Sequence, residues 1–298
     1  MSKKGVVFTI LSALIYGFTP ILCSITYGMG NNAVTLTFFR NFFCLPILAI
    51  IMLIKKIDFK LTLHEIKSII LVGINGSVVA TLLLYSSYSY VDVGTATTLH
   101  FLYPIFATLI YKFYYRGTIT RNQVIALVLS GIGIACFIDT KSLGKIQGVV
   151  MALLSGVAFA VYLVLIEKKK LSQMNGFKLS FYLALTVTVI FFTINLFTKS
   201  IMLNQPIESY GLMLAVSTIL ASFIAVVFLK EGIRLIGSAH ASVFSLFEPI
   251  SSVVFGLIFL NESITFIKLI GCGFIVLGIV ALANRNSSKS RINFKKNR

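Results

Sequence analysis

The chain is a succession of apolar runs, each about as long as a bilayer is thick, punctuated by short clusters of charge. Ten such runs stand out, at 5–27, 33–54, 66–90, 93–115, 122–138, 146–166, 179–198, 210–229, 235–260 and 264–283. A crossing helix needs about 20 predominantly apolar residues, and most of these runs supply them. Only 12% of the residues are charged while 57% are hydrophobic. Soluble domains carry about 25% charged residues, so this chain has too few to coat a water-facing surface. Backbone polar groups in lipid must be satisfied within the segment, which makes each run a helix. The expected class is all-α integral membrane, with ten transmembrane helices.

A net charge of +17 is of a size seen in nucleic-acid binders, but its distribution argues against that partner. The basic residues fall between apolar runs, with a larger group in the tail at 285–298. With the N-terminus placed in the cytoplasm, 21 of the 26 Lys and Arg residues lie on the inner side. Lys141, Lys145, Lys199 and Lys268 remain outside, and Arg40 falls within the second run. This bias predicts a multi-pass protein of the cell membrane with both termini cytoplasmic, its basic tail lying near anionic lipid. Cys23, Cys44, Cys136 and Cys272 lie singly in separate runs, without metal-ligand or disulfide spacing.

The two halves resemble one another. Gly5-Val-Val-Phe-Thr-Ile-Leu-Ser12 matches Gly148-Val-Val-Met-Ala-Leu-Leu-Ser155, and Leu102-Tyr103-Pro104-Ile105 matches Phe247-Glu248-Pro249-Ile250. Gly133-Ile134-Ala135 then matches Gly278-Ile279-Val280. Five crossings per half force the second half to enter from the opposite side. The expectation is therefore two inverted five-helix repeats, residues 1–140 and 146–284, followed by the tail at 285–298.

These features resemble the EamA family of the drug/metabolite transporter superfamily. The resemblance is carried by Ala241-Ser-Val-Phe-Ser-Leu-Phe-Glu248-Pro249, by Leu260-Asn261-Glu262, by the run from Leu269 to Gly278, and by Thr97-Thr-Leu-His-Phe-Leu-Tyr-Pro104 in the first half. Arg40 matches a recurring position, whereas Gly117 stands where members often carry a glutamate after the fourth helix. The resemblance implies a transporter with a central cavity lined mainly by helices 1, 3, 4, 6, 8 and 9. Many members export amino acids or other small metabolites.

Polar groups within the runs are the candidate site, because a charge at the bilayer centre costs at least about 2.5–3.5 kcal/mol unless paired or hydrated. Arg40 is either a cavity cation for a carboxylate substrate or a structural group that pairs or snorkels. Glu248 precedes Pro249, where a proline kinks the helix; it binds a proton or an amine, or it braces the kink, the preferred reading. Tyr103 and Pro104 are the equivalents in the first half. His100, one turn before Pro104, is the candidate substrate contact or proton relay. Ser12 and Tyr16 share a face, as do their repeat partners Ser155 and Phe159. Asn75, Tyr85, Tyr88 and Tyr162 complete the cavity candidates. Gly131, Gly133, Gly271, Gly273 and Gly278 read as packing positions for helices 5 and 10. No catalytic, metal or phosphate-binding constellation appears, so neither an enzyme nor a cofactor is expected, and gradients must supply energy. The expected function is secondary transport, as an exporter, of small polar metabolites such as amino acids by alternating access, with proton coupling open. The alternatives are a lipid scramblase or a non-transporting membrane partner or sensor.

Overall fold

The computed structural model describes residues 2–91, 93–136, 145–215, 224–260 and 265–296. The expected boundary at Asp92, the motif residues 261 and 262, the end of the fifth run and the middle of the eighth lie outside them. All regular structure among the described residues is helical. Six helices there are long and apolar enough to cross a membrane: Lys3–Gly28, Ala33–Ile54, Leu63–Ser87, Ile146–Lys168, Gly176–Thr198 and Ser238–Phe259. Large apolar side chains such as Leu53, Val128, Phe197 and Ile258 face outward. The chain is a multi-pass membrane protein.

Polar caps set many of the helix starts. Ser2 caps α1 (Lys3–Gly28) and Asn32 caps α2 (Ala33–Phe42). Thr62 and Glu65 form a capping box at α4 (Leu63–Val72), as Thr120 and Gln123 do at α8 (Arg121–Ala135). Each box satisfies orphan N–H groups that lipid cannot. At the other end, Lys56, Arg116, Lys170 and Lys199 adopt left-handed backbone just past their helices. A positive charge there complements the helix dipole.

Several crossings are interrupted, each for a local reason. α2 gives way to α3 (Cys44–Ile54) at Phe43, because Pro46 can supply no N–H to the Phe42 carbonyl. A π-helical segment, Gly73–Ala80, separates α4 from α5 (Thr81–Ser87). A Cβ on Gly76 would lie 2.1 Å from the Tyr162 ring, so the wide turn lets the backbone close on an aromatic side chain. α6 (Val93–His100) breaks at 101–102 before α7 (Tyr103–Phe113). The second-half equivalent breaks at 245–246, between α13 (Ser238–Phe244) and α14 (Phe247–Leu260). Pro104 and Pro249 thus sit in the first turn of a new helix rather than at a bend in a continuous one. A proline there gives up an N–H that would be unpaired anyway.

α1 lies between α12 (Ile224–Ile236) and α13–α14. α9 (Ile146–Lys168) lies between the π-segment with α5 on one side and α6–α7 on the other. α10 (Gly176–Thr198) packs on α2 and α3, and α11 (Ile207–Ala215) touches α2 and α1. α8 pairs with α15 (Phe266–Lys296), whose helix continues into the basic tail. Small residues set the close approaches: Gly17 faces Ser251 and the Glu248 carbonyl, and Gly232 faces Thr9.

The eighth run ends later than expected. Lys230, Glu231 and Arg234 are helical rather than loop residues, and Lys230 is only 3% exposed. Glu231 pairs with both Lys230 and Arg234, so the charges neutralise one another within the helix end. At the end of α9, the Glu167 carboxylate accepts the Ser238 N–H, and Lys168 lies 4.6 Å and 5.0 Å from the rings of Tyr111 and Tyr115.

The glycines of α8 and α15 divide into two groups. A Cβ on Gly133 would lie 2.6 Å from the Gly271 carbonyl oxygen, and one on Gly278 would lie 2.8 Å from the Ala126 oxygen. Gly131 has ordinary clearance of 3.7 Å, and Gly273 has no neighbour within 4 Å. Gly133 and Gly278 are therefore contact positions, and Gly131 and Gly273 are not. Gly133→Ala should destabilise the detergent-purified protein by about 1–3 kcal/mol, because backbone must move to make room. Gly131→Ala should change stability by less than about 1 kcal/mol, in the stabilising direction. Thermal unfolding of both variants checks this, and equal losses would contradict the packing described.

Candidate functional site

A cavity opens between the halves where the interrupted helices meet. One chamber encloses about 520 Å³ of empty space, its mouth included. Its walls are Tyr16 and Thr19 on α1, Arg40 on α2, Ala80, Thr81, Leu84, Tyr85 and Tyr88 on the third crossing, His100 on α6, Phe159 on α9 and Glu248 on α14. A second chamber of about 460 Å³ shares Tyr16, Arg40, Thr81 and Phe159 with it. This one continues past Asn41, Gly76, Ser77 and Tyr162 to Ser180, Leu183 and Ala184 on α10 and Val226 on α12.

Arg40 stands at the junction. Its Nη1 donates to the Tyr85 hydroxyl at 2.7 Å, and its guanidinium carbon lies 5.7 Å from the Tyr85 ring centroid. Its Nε is buried without a partner. The ion pairs among the described residues are Lys230–Glu231 and Arg234–Glu231, so Arg40 has no carboxylate within bonding distance. Tyr85 orients the cation without neutralising it. Of the two sequence readings, a structural ion pair therefore finds no counterpart here.

His100 is held from behind. Its Nδ1 lies 2.9 Å from Ser155 Oγ, and that hydroxyl donates to the Ala152 carbonyl at 2.6 Å. Having spent its proton on that carbonyl, the serine accepts from His100, which places a proton on Nδ1. The His100 carbonyl, which Pro104 cannot bond, faces Gly156, where a Cβ would lie 2.8 Å away. Phe159 is 5.4 Å from the His100 ring and 5.4 Å from Tyr162, forming an aromatic wall.

Glu248 lies in the first turn of α14, where a helix dipole favours a negative charge. Its backbone N–H is bonded to the Ser245 carbonyl, while its carboxylate is on the cavity wall. It is well placed both to support the break and to meet a ligand.

Three candidates fall elsewhere. Ser12 is fully buried and donates to the Ala225 carbonyl at 2.8 Å, joining α1 to α12. Asn75 bonds back to the Leu71 carbonyl at 2.9 Å. It is not among the residues that line either chamber. Tyr103 is fully buried, its ring centroid 4.9 Å from that of Phe159 and its hydroxyl beside Ser245 and Glu248. Thr19, Asn41, Ser77, Thr81, Leu84 and Ser180 line the chambers without having been singled out in the sequence. Ser77, Thr81, Tyr85 and Tyr88 recur at helical spacing, a signal that was there to be read. Helices 2 and 7 thus contribute alongside those the family resemblance implied.

Tyr85→Phe should leave a guanidinium N–H unpaired, and Ser155→Ala should do the same to His100 Nδ1. Each should cost about 1–3 kcal/mol in thermal unfolding of the purified protein. Unchanged melting for both would mean that these contacts carry no weight.

Comparison with known proteins agrees with this architecture. The EamA-like transporter family matches twice, over residues 3–138 and 146–284. An uncharacterized transporter from Archaeoglobus fulgidus is 25% identical over 94% of this chain and 95% of its own length. Another from Clostridium kluyveri is 24% identical over 99% of this chain and 97% of its own. A crystal structure at 14% identity superposes with a TM-score of 0.80 over 96% of this chain and 99% of the other, which shows a shared fold. With two matches that together span nearly all of its length, the chain belongs to the EamA-like transporter family.

Proposed function

We propose that this protein is a secondary transporter that exports small zwitterionic metabolites of the amino-acid type across the cell membrane. The observation that carries the reading is Arg40 and Glu248 on the walls of one chamber, unpaired with each other. A cation and an anion held apart in a membrane cavity are costly when empty. A ligand with a carboxylate at one end and an ammonium at the other relieves both costs at once. The surrounding Tyr16, Tyr85, Tyr88 and Phe159 suit the apolar body of such a ligand and the face of its ammonium.

The mechanism is alternating access by two inverted five-helix repeats, ten crossings in all, with both termini cytoplasmic. Packing supports this. If each first-half crossing is exchanged for its second-half counterpart, α1 against α12 becomes α9 against the π-segment and α5. Likewise α1 against α13–α14 becomes α9 against α6–α7, while α8–α15 maps onto itself. The interruptions before Pro104 and Pro249 fall at equivalent places, which gives each half a joint beside the ligand. Exchanging the conformations of the halves then opens the site to the other side. The direction, export, follows the habit of the family. Proton coupling would use His100 and Glu248, both on the cavity wall.

In liposomes, the purified protein should accelerate flux of radiolabelled amino acids, screened as a panel with and without a proton gradient. Arg40→Ala, His100→Ala and Glu248→Gln should each reduce that flux by about tenfold or more, the effect of losing about 1.4 kcal/mol of binding. Full flux in all three would remove the cavity from the transport path.

A further inference from the structure

The second chamber differs in chemistry from the first. Its polar lining includes Arg40, Tyr16, Asn41, Ser77, Tyr162 and Ser180, and no carboxylate stands on its walls among the described residues. Ser180 is 1% exposed, and its hydroxyl has no hydrogen-bond partner. Buried hydroxyls are nearly always paired, so an orphan beside a cavity marks a place where a ligand atom completes the bonding. Arg40 Nε is a second unpaired donor on the same wall. Asn41 commits one amide hydrogen to the Thr37 carbonyl at 2.8 Å. Leu183, Ala184 and Val226 close the remainder with apolar surface. Gly76 of the π-segment closes on Tyr162, and Ser77 of that segment and Thr81 at the start of α5 line the chamber with it.

From the juxtaposition of Arg40 with Ser77 and Ser180 in a chamber with no acid among the described residues, we infer that this chamber is a carboxylate subsite distinct from the one that holds Glu248. A carboxylate has two oxygens and about four acceptor positions. The guanidinium fork serves one side of it and the serine hydroxyls the other. A ligand bound this way lies across the junction, its carboxylate towards α10 and its ammonium towards α14. The inference extends the proposed function by assigning the substrate's orientation. An amine without a carboxylate would meet the Arg40 charge in this chamber with no acid among the described walls to offset it.

Formate is the probe, a carboxylate with neither amine nor side chain. In the purified full-length protein, sodium formate should produce a saturable rise in Tm at constant ionic strength, relative to sodium chloride. Methylammonium chloride should not produce this rise through the chamber. The Ser77→Ala/Ser180→Ala double variant should raise the half-saturating formate concentration about tenfold. Arg40→Gln should abolish the response. Arg40→Lys, which keeps the charge but loses the fork, should weaken it. Asn75→Ala, outside the cavity, should respond as the parent does. A formate effect no larger than chloride's would overturn the subsite, as would an undiminished effect in the double-serine variant. Loss of amino-acid flux with the formate response intact would count against the transport reading alone, and the reverse would count against the subsite alone.

Discussion

A carbonyl freed inside a bilayer has no water to turn to, and the central architecture follows from how this protein handles that constraint. Proline at 104 leaves the His100 carbonyl without its usual donor, and the chain responds by ending one helix and starting another. The freed carbonyl is covered by Gly156 of α9, where no side chain intervenes. The break before Pro249 is likewise backed by α1, with Gly17 against the Glu248 carbonyl. Irregular backbone is tolerated at these places because a neighbouring helix or the cavity itself lies alongside. The cavity and the interruptions are thus one feature seen from two sides.

The same constraint governs the charges. Glu231 shows one solution, a carboxylate shared by two cations at a helix end. Arg40 shows the other, in which a phenol hydroxyl fixes the direction of the guanidinium and its charge is left for something else to meet. A residue kept for structure alone would be cheaper as an ion pair or as a hydrophobe. An oriented, unneutralised cation beside a hydroxyl-lined chamber is what a binding site needs before its ligand arrives.

Much of this was legible in the sequence, and what was missed has physical causes. Apolar run length marked helices because the bilayer fixes the length of a crossing. Arg40, His100 and Glu248 stood out because polar groups are rare where every one is costly. The position of the breaks was harder to read. A proline disrupts the carbonyl four residues before it, so the interruption lies upstream of the residue that signals it. The π-segment was not readable, since Gly73 and Gly76 fit any close packing and their partners Thr186 and Tyr162 lie far along the chain. Ser12 and Asn75 looked like site residues because polarity alone does not reveal whether a hydroxyl or an amide is already satisfied by a backbone carbonyl, as both are.

The end of α9 has a consequence for how the molecule can move. Glu167 holds the start of α13, and its neighbour Lys168 is clasped by two tyrosines at the end of α7 and just beyond it. Adjacent residues on one rigid rod therefore tether both of the interrupted crossings at the same membrane face. The start of α13 and the end of α7 are thereby fastened to one end of α9, so a displacement of that end would be felt by both.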